Sequence, residues 1–243
     1  MTRISTNLTG KSLPDKIAYH TVRTILTVFC RTWCRMQISG RENFPTDGPF
    51  IFAPTHRSII DTPVSSGAYT RRMRFMGADK WWKNQHFGKL LTALGGFPVS
   101  RGTADREALR RCIAVLEGGE PLVMFPEGER KSGPVVQPLF EGAAYVAMRT
   151  GVPIVPVGIG GSGRVMPKGT KFIYPRKLYV LVGKPLRVPV LPDAEGSKAH
   201  RTAAKQLTTE LHAESVGFFV RQYILYLLLA YLCIHRTVLC SFL

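Results

Sequence analysis

The chain has 243 residues, 45% of them hydrophobic, and its length fits one domain with a core of ordinary size. Lysine and arginine number 33 against 16 acidic residues, giving a formal charge of +17 and a pI of about 10.1. That excess calls for anionic partners; with no zinc-finger spacing and no aromatic RNA-binding strand motif, anionic lipid or phosphorylated substrates are expected and nucleic acid is not.

Met1 to Asp15 is polar and has no apolar core, so no signal peptide is expected. Residues 15–36 read as an amphipathic helix. Ala18, Val22, Ile25, Leu26, Phe29, Trp33 and Met36 fall on one face, and Lys16, His20, Arg23, Arg31 and Arg35 on the other. Such a helix either lies on an anionic membrane surface or packs its apolar stripe on the core. Strands are predicted near 37–41, 49–54, 73–76, 96–99, 121–125, 153–159 and 178–183. They alternate with helices near 63–70, 84–94, 103–117, 139–150 and 198–214. The alternation predicts an α/β fold: one domain, with a largely parallel mixed sheet flanked by helices. The expected division is an N-terminal helical segment 1–37, a domain 38–215 and an apolar tail 216–243.

In that tail charge nearly vanishes, and Arg221 and Arg236 bracket an uncharged run from Gln222 to Ile234. The run is short for a bilayer span, so a membrane-embedded or monotopic helix is expected. A marginal span, core packing or an altered C-terminus are the other readings. The five cysteines, Cys30, Cys34, Cys112, Cys233 and Cys240, are odd in number and lack paired metal spacing. They read as reduced thiols of a cytosolic protein.

The chemistry concentrates in four segments. His56-Arg57-Ser58-Ile59-Ile60-Asp61 follows the apolar run Pro49 to Pro54, and Asp61-Thr62-Pro63 reads as a helix start with Thr62 as cap and Pro63 first in the helix. His56 and Asp61 therefore lie on a strand-to-helix loop. A neutral imidazole held by a carboxylate can take a proton from a hydroxyl. The plainer alternative is an aspartate cap beside a loop histidine. Further on come Gly95 to Gly102, then Phe125-Pro126-Glu127-Gly128-Glu129-Arg130-Lys131-Ser132, then Val152-Pro153-Ile154-Val155-Pro156-Val157. Gly158, Gly160, Gly161, Gly163 and Gly169 form a glycine-rich stretch without the Gly-Lys-Ser/Thr ending of a nucleotide loop, and read as a flexible substrate-facing loop. Trp81 and Trp82 read as interfacial anchors or core residues.

In this order the four segments resemble the glycerolipid acyltransferases, the lysophosphatidic acid acyltransferases and their relatives, over roughly residues 38–188. The family pattern N-H-x-x-x-x-D meets Thr55 in place of asparagine, and F-P-E-G-T-R-S meets Glu129 in place of threonine. Pro98 and Ser100 loosen the second block. The resemblance implies acyl transfer from an acyl-CoA or acyl carrier protein thioester to the 2-hydroxyl of 1-acyl-glycerol-3-phosphate. The expected product is phosphatidic acid, formed at the cytoplasmic face of a membrane without metal or bound cofactor. It implies His56 as general base and Asp61 as its orienting carboxylate. Arg101 and Arg130 would clamp the acceptor phosphate, with Lys80 a further candidate. Glu127 and Gly128 would form the acceptor-side turn, Glu127 ordering the loop or accepting a bond from the acceptor. Val155 and Pro156 would shape the wall near the oxyanion. The rival readings are an acyltransferase on another lysolipid or on glycerol 3-phosphate, and a basic lipid-binding protein without catalysis.

Overall fold

The computed structural model describes residues 12–99, 106–133, 135–189 and 197–240, with side chains of the last segment described for 199–221. Helix α1 spans Leu13–Thr32, where Ser12 accepts a hydrogen bond from the Asp15 amide and Pro14 occupies the first turn, which needs no N–H donor. The helix ends short of the predicted residue 36. Arg35 turns left-handed at φ 45°, Met36 N bonds back to the Cys30 carbonyl at 3.0 Å, and the chain enters strand β1 (Gln37–Ser39).

The two-faced reading of α1 needs correction. Arg23, assigned to the polar face, turns inward and its Nε donates to the Ser66 carbonyl at 3.0 Å. Tyr19 and Cys30 are buried, and Val22 and Leu26 half-buried. Ile25, assigned to the packing face, is exposed, as are Leu13, Ile17 and Val28. The helix thus packs one stripe inward and presents a second apolar stripe to the outside.

The remaining strands are β2 (Ile51–Pro54), β3 (Arg74–Ala78), β4 (Gly96–Val99), β5 (Leu122–Val123), β6 (Ile154–Gly160) and β7 (Tyr179–Val182). They and β1 form one sheet in the order β1-β7-β6-β2-β5-β3-β4. All pairings are parallel except β6 with β7. Helices α2 (Asp61–Ala68), α3 (Gln85–Ala93), α4 (Arg106–Glu117), α5 (Gly142–Thr150), α6 (Ser162–Val165) and α7 (Ser197–Cys240) connect or follow them.

The central strands are apolar on both faces because helices cover both. Along β2 the side chains alternate: Phe50 and Phe52 join a core with Cys30, Cys34 and Val64, whereas Ile51 and Ala53 join one with Cys112, Ala143 and Leu207. The result is a three-layer sandwich, with α1 and α2 on one face and α4, α5 and α7 on the other. Cys30, Cys34 and Cys112 are buried, and the Cys112 thiol donates to Met76 Sδ at 3.3 Å.

Helix α7 runs as one helix through residue 216, where the apolar tail was expected to begin. Phe218 is buried where Gly158 and Gly183 leave room; a Cβ on Gly158 would come within 2.6 Å of it. Phe218, just past residue 215, therefore serves the core. Among the described residues no helix is long and apolar enough to cross a membrane.

Candidate active site

Parallel strands discharge their C-terminal loops at one edge of a sheet, so the loops after β2, β5, β3, β4 and β6 share an edge. The β2 loop begins with Thr55, whose amide bonds Val157 O at 3.0 Å and whose Oγ1 accepts from Ile159 N at 3.0 Å. The hydroxyl standing where the family pattern has asparagine thus ties the loop to β6. His56 comes next, and its ring stacks on Phe125 with centroids 4.0 Å apart.

His56 Nδ1 lies 2.9 Å from Asp61 Oδ2. Asp61 is completely buried, and the same oxygen accepts the amides of Arg57 and Ser58, each at 2.7 Å. This corrects the predicted helix start. Helix α2 begins at Asp61 with Ile60 before it, and no side chain caps it. The Asp61 carboxylate instead folds back on the preceding loop, because three donors converge there. With Nδ1–H committed to a carboxylate, Nε2 is the basic nitrogen of the ring.

A second buried carboxylate holds the loop from behind. Glu127, with no exposed surface, accepts the His56 amide on Oε1 at 3.2 Å and pairs with the Arg57 guanidinium through Oε2. Arg57 also donates to the His56 carbonyl and to Val135 O, each at 3.1 Å, and its guanidinium carbon sits 4.8 Å above the Phe219 ring. The Lys131 amide adds a 2.9 Å bond to the His56 carbonyl. The peptide that carries the histidine is therefore anchored on both sides. Of the two uses foreseen for Glu127, the geometry shows loop ordering: both oxygens are engaged inside the protein, and direct acceptor contact has no surface to work through. Arg57 escaped the sequence reading. Its one signal was a charged residue beside the histidine in an otherwise apolar neighbourhood.

Gly128 turns the chain at φ +70°, and a Cβ there would come within 2.8 Å of the Phe140 ring. Arg130 projects into solvent from this turn. Glu129, which departs from the family pattern, bonds Lys131 Nζ at 2.9 Å. Lys80 lies on the 3-10 turn Asp79–Trp82 after β3, with Nζ 5.4 Å from the Trp81 ring centroid. Trp81 is exposed, and Trp82 tucks against Gly77 and Gly88 with Nε1 bonded to Thr92 Oγ1 at 3.0 Å. Arg101 lies outside the described residues.

Two expectations are corrected. Val155 and Pro156 are buried within β6, paired with Phe52 and Ala53, and so lie below the edge where a reacting carbonyl would sit. The glycine-rich stretch is not one loop: Gly158 and Gly160 belong to β6, and Gly161 turns left-handed into α6.

A family model described as Acyltransferase matches residues 35–160, more than half of the chain. The chloroplastic 1-acyl-sn-glycerol-3-phosphate acyltransferase BAT2 of Brassica napus is 29% identical over 158 residues, 63% of this chain and 45% of that protein. The 1-acyl-sn-glycerol-3-phosphate acyltransferase of Bacillus subtilis is 28% identical over 181 residues, 72% of this chain and 87% of that protein. The chain thus spans under half of the plant relative and most of the bacterial one. The crystal structure of PlsC from Thermotoga maritima, a 1-acyl-sn-glycerophosphate acyltransferase, shares the fold at a TM-score of 0.61 and 24% identity, covering 82% of this chain and 81% of that one. The matched segment holds the buried His56–Asp61 pair and the Glu127 brace, and the chain belongs to the acyltransferase family.

Proposed function

We propose that this protein transfers an acyl chain from acyl-CoA or acyl carrier protein to the 2-hydroxyl of 1-acyl-glycerol-3-phosphate, giving phosphatidic acid at the cytoplasmic face of a membrane. The observation that carries the reading is the His56–Asp61 pair, 2.9 Å apart on a loop braced from both sides. The acceptor hydroxyl oxygen attacks the thioester carbonyl while His56 Nε2 takes its proton. The buried Asp61 carboxylate stabilises the imidazolium. The tetrahedral oxyanion collapses, the C–S bond breaks, and the thiolate leaves with the proton from His56. Base catalysis of this kind contributes about 10²- to 10⁴-fold. The step needs no metal or resident cofactor, since the thioester brings its own leaving group.

The names of the relatives support the lysophosphatidate acceptor. Arg130 and Arg101 are the residues proposed for its phosphate, because a guanidinium can give two parallel hydrogen bonds to it. Lys80 is a weaker candidate at the same edge. The outward stripe of Leu13, Ile17, Ile25 and Val28, in a chain of charge +17, suits the surface of an anionic bilayer.

The test is turnover by the purified full chain in anionic vesicles, supplied with lysophosphatidic acid and acyl-CoA, for wild type and His56→Ala. Phosphatidic acid from wild type, lost in a variant with unchanged circular dichroism, is the expected result. Activity of His56→Ala within tenfold of wild type would remove His56 from the base role. A wild type that binds vesicles without turnover would favour the lipid-binding reading.

A further inference from the structure

A cavity that Arg57 helps to line takes no part in the steps above. It measures about 950 Å³ and lies between the Gly160–Gly163 turn, the loop bearing Lys131, Val135 and Val136, and the α7 residues Val216, Phe219 and Val220. Its lining divides by chemistry. Ile159, Val136, Val216 and Phe219 make an apolar wall, whereas Arg164 and Lys168 stand exposed at its rim and Lys131 is half-buried.

Two buried polar atoms of residues lining this cavity have no hydrogen-bond partner among the described residues: Ser162 Oγ and Arg57 Nε. Ser162 is 1% exposed and Arg57 9%. Both atoms are sealed from solvent, where an unpaired donor is costly. Ser58 Oγ donates to Met166 O at 2.8 Å, which ties the catalytic loop to the segment carrying Arg164, Pro167 and Lys168.

The proposed reaction brings together two substrates that each carry phosphate, and each needs its own cationic seat. Arg130 and Lys80 follow β5 and β3, on one flank of β2. Arg164 and Lys168 follow β6, on the other flank. His56 leaves the strand between them. We propose that the β6-side cavity receives the phosphopantetheine arm of the acyl thioester, with Arg164 and Lys168 facing its phosphate and the α7 wall covering its dimethyl and amide portion. This rests on the acyl-transfer reading above. The arm is common to coenzyme A and to acyl carrier protein, and a cavity of this volume is ample for it. Gly163 leaves the floor bare: a Cβ built there meets nothing nearer than Arg57 Cβ at 3.8 Å. A tryptophan at this position would intrude on the cavity without straining the backbone.

The experiment uses the full chain in detergent micelles. Binding of 4′-phosphopantetheine, pantetheine, coenzyme A and holo-acyl carrier protein is measured by calorimetry for wild type, Gly163→Trp and Arg164→Ala/Lys168→Ala. Donor and acceptor KM values are measured in parallel. Wild type should bind phosphopantetheine at least about tenfold more tightly than pantetheine, and the double variant should erase that preference. Gly163→Trp should raise the donor KM about tenfold or more and leave the lysophosphatidate KM within about twofold. Whichever of coenzyme A and the carrier protein shows the same phosphate dependence at lower concentration is the source of the arm. Equal binding of the two arms, no binding by wild type, or a rise in the acceptor KM instead would overturn the proposal. Phosphate-dependent binding without transfer to lysophosphatidate would leave the subsite standing and the acceptor assignment refuted.

Discussion

Replacing Glu127 by glutamine separates two roles that the residue could play. In the structure its oxygens accept the His56 amide and the Arg57 guanidinium, and the side chain is sealed from solvent. Glutamine keeps the volume and one acceptor but presents an NH₂ where the second acceptor was, and it leaves the Arg57 charge without its counterpart. Losing one charge-assisted bond costs about 1.5–3 kcal/mol, and breaking a buried pair one-sidedly about 3–5 kcal/mol. A loss of about 3 kcal/mol follows, since one acceptor survives. At about 2–4 °C per kcal/mol for a chain of this size, Tm falls by about 6–12 °C. Because the brace acts on the peptide carrying His56, kcat should fall while the acceptor KM holds. A second variant, Glu127→Gln with Arg57→Met, removes the stranded charge and should recover part of the lost Tm, because apolar replacement of a buried pair is often close to neutral. The assay is a thermal melt of each variant beside its kcat and acceptor KM. An unchanged Tm with a raised acceptor KM would refute the brace and restore Glu127 as an acceptor contact.

Asp61→Asn should lower kcat by about 10³- to 10⁴-fold, because an amide can hold the imidazole in the wrong tautomer; single-turnover acyl transfer measures it. Arg130→Ala should cost about 10- to 150-fold in kcat/KM on lysophosphatidate and little on monoacylglycerol, with Arg130→Lys still impaired; equal losses on both acceptors would mean a structural role or one toward the donor. Gly128→Ala should destabilise the fold by about 1–2 kcal/mol through its left-handed backbone, and adding Phe140→Ala should relieve only the side-chain contact, as denaturant midpoints will report. Burial, with the neighbouring Cys34 thiol second, pushes the Cys30 thiol up to about 12, and burial also raises Cys34. In the folded state both stay neutral where an unfolded thiol ionises; the Cys30 contribution to stability is full below pH 9 and is lost as pH rises toward 12. Alkylation at pH 8.5 should spare both until the protein unfolds.

Residue order alone encodes local features of this protein. Each predicted strand of the sheet recurs in the structure; the central ones, β2, β5 and β6, were legible because buried strands need apolar runs, which prolines and glycines punctuate. The five-residue spacing of His56 and Asp61 could be read because both sit on one short loop, where sequence distance limits spatial distance. Tertiary structure decided everything that depends on distant partners. Glu127 reaches His56 across 71 positions, and no spacing announces that a carboxylate after β5 will brace a loop after β2. Asp61 gave up a capping role because three loop donors converged on it. Arg23 left its polar face because two carbonyls near the end of α2, Ser66 O and Tyr69 O, were in reach. Residues 216–220 looked like the start of a separate tail, yet Gly158 and Gly183 leave room that Phe218 of α7 occupies. Periodicity records which residues prefer to be buried, and only the assembled sheet and helices determine what they are buried against.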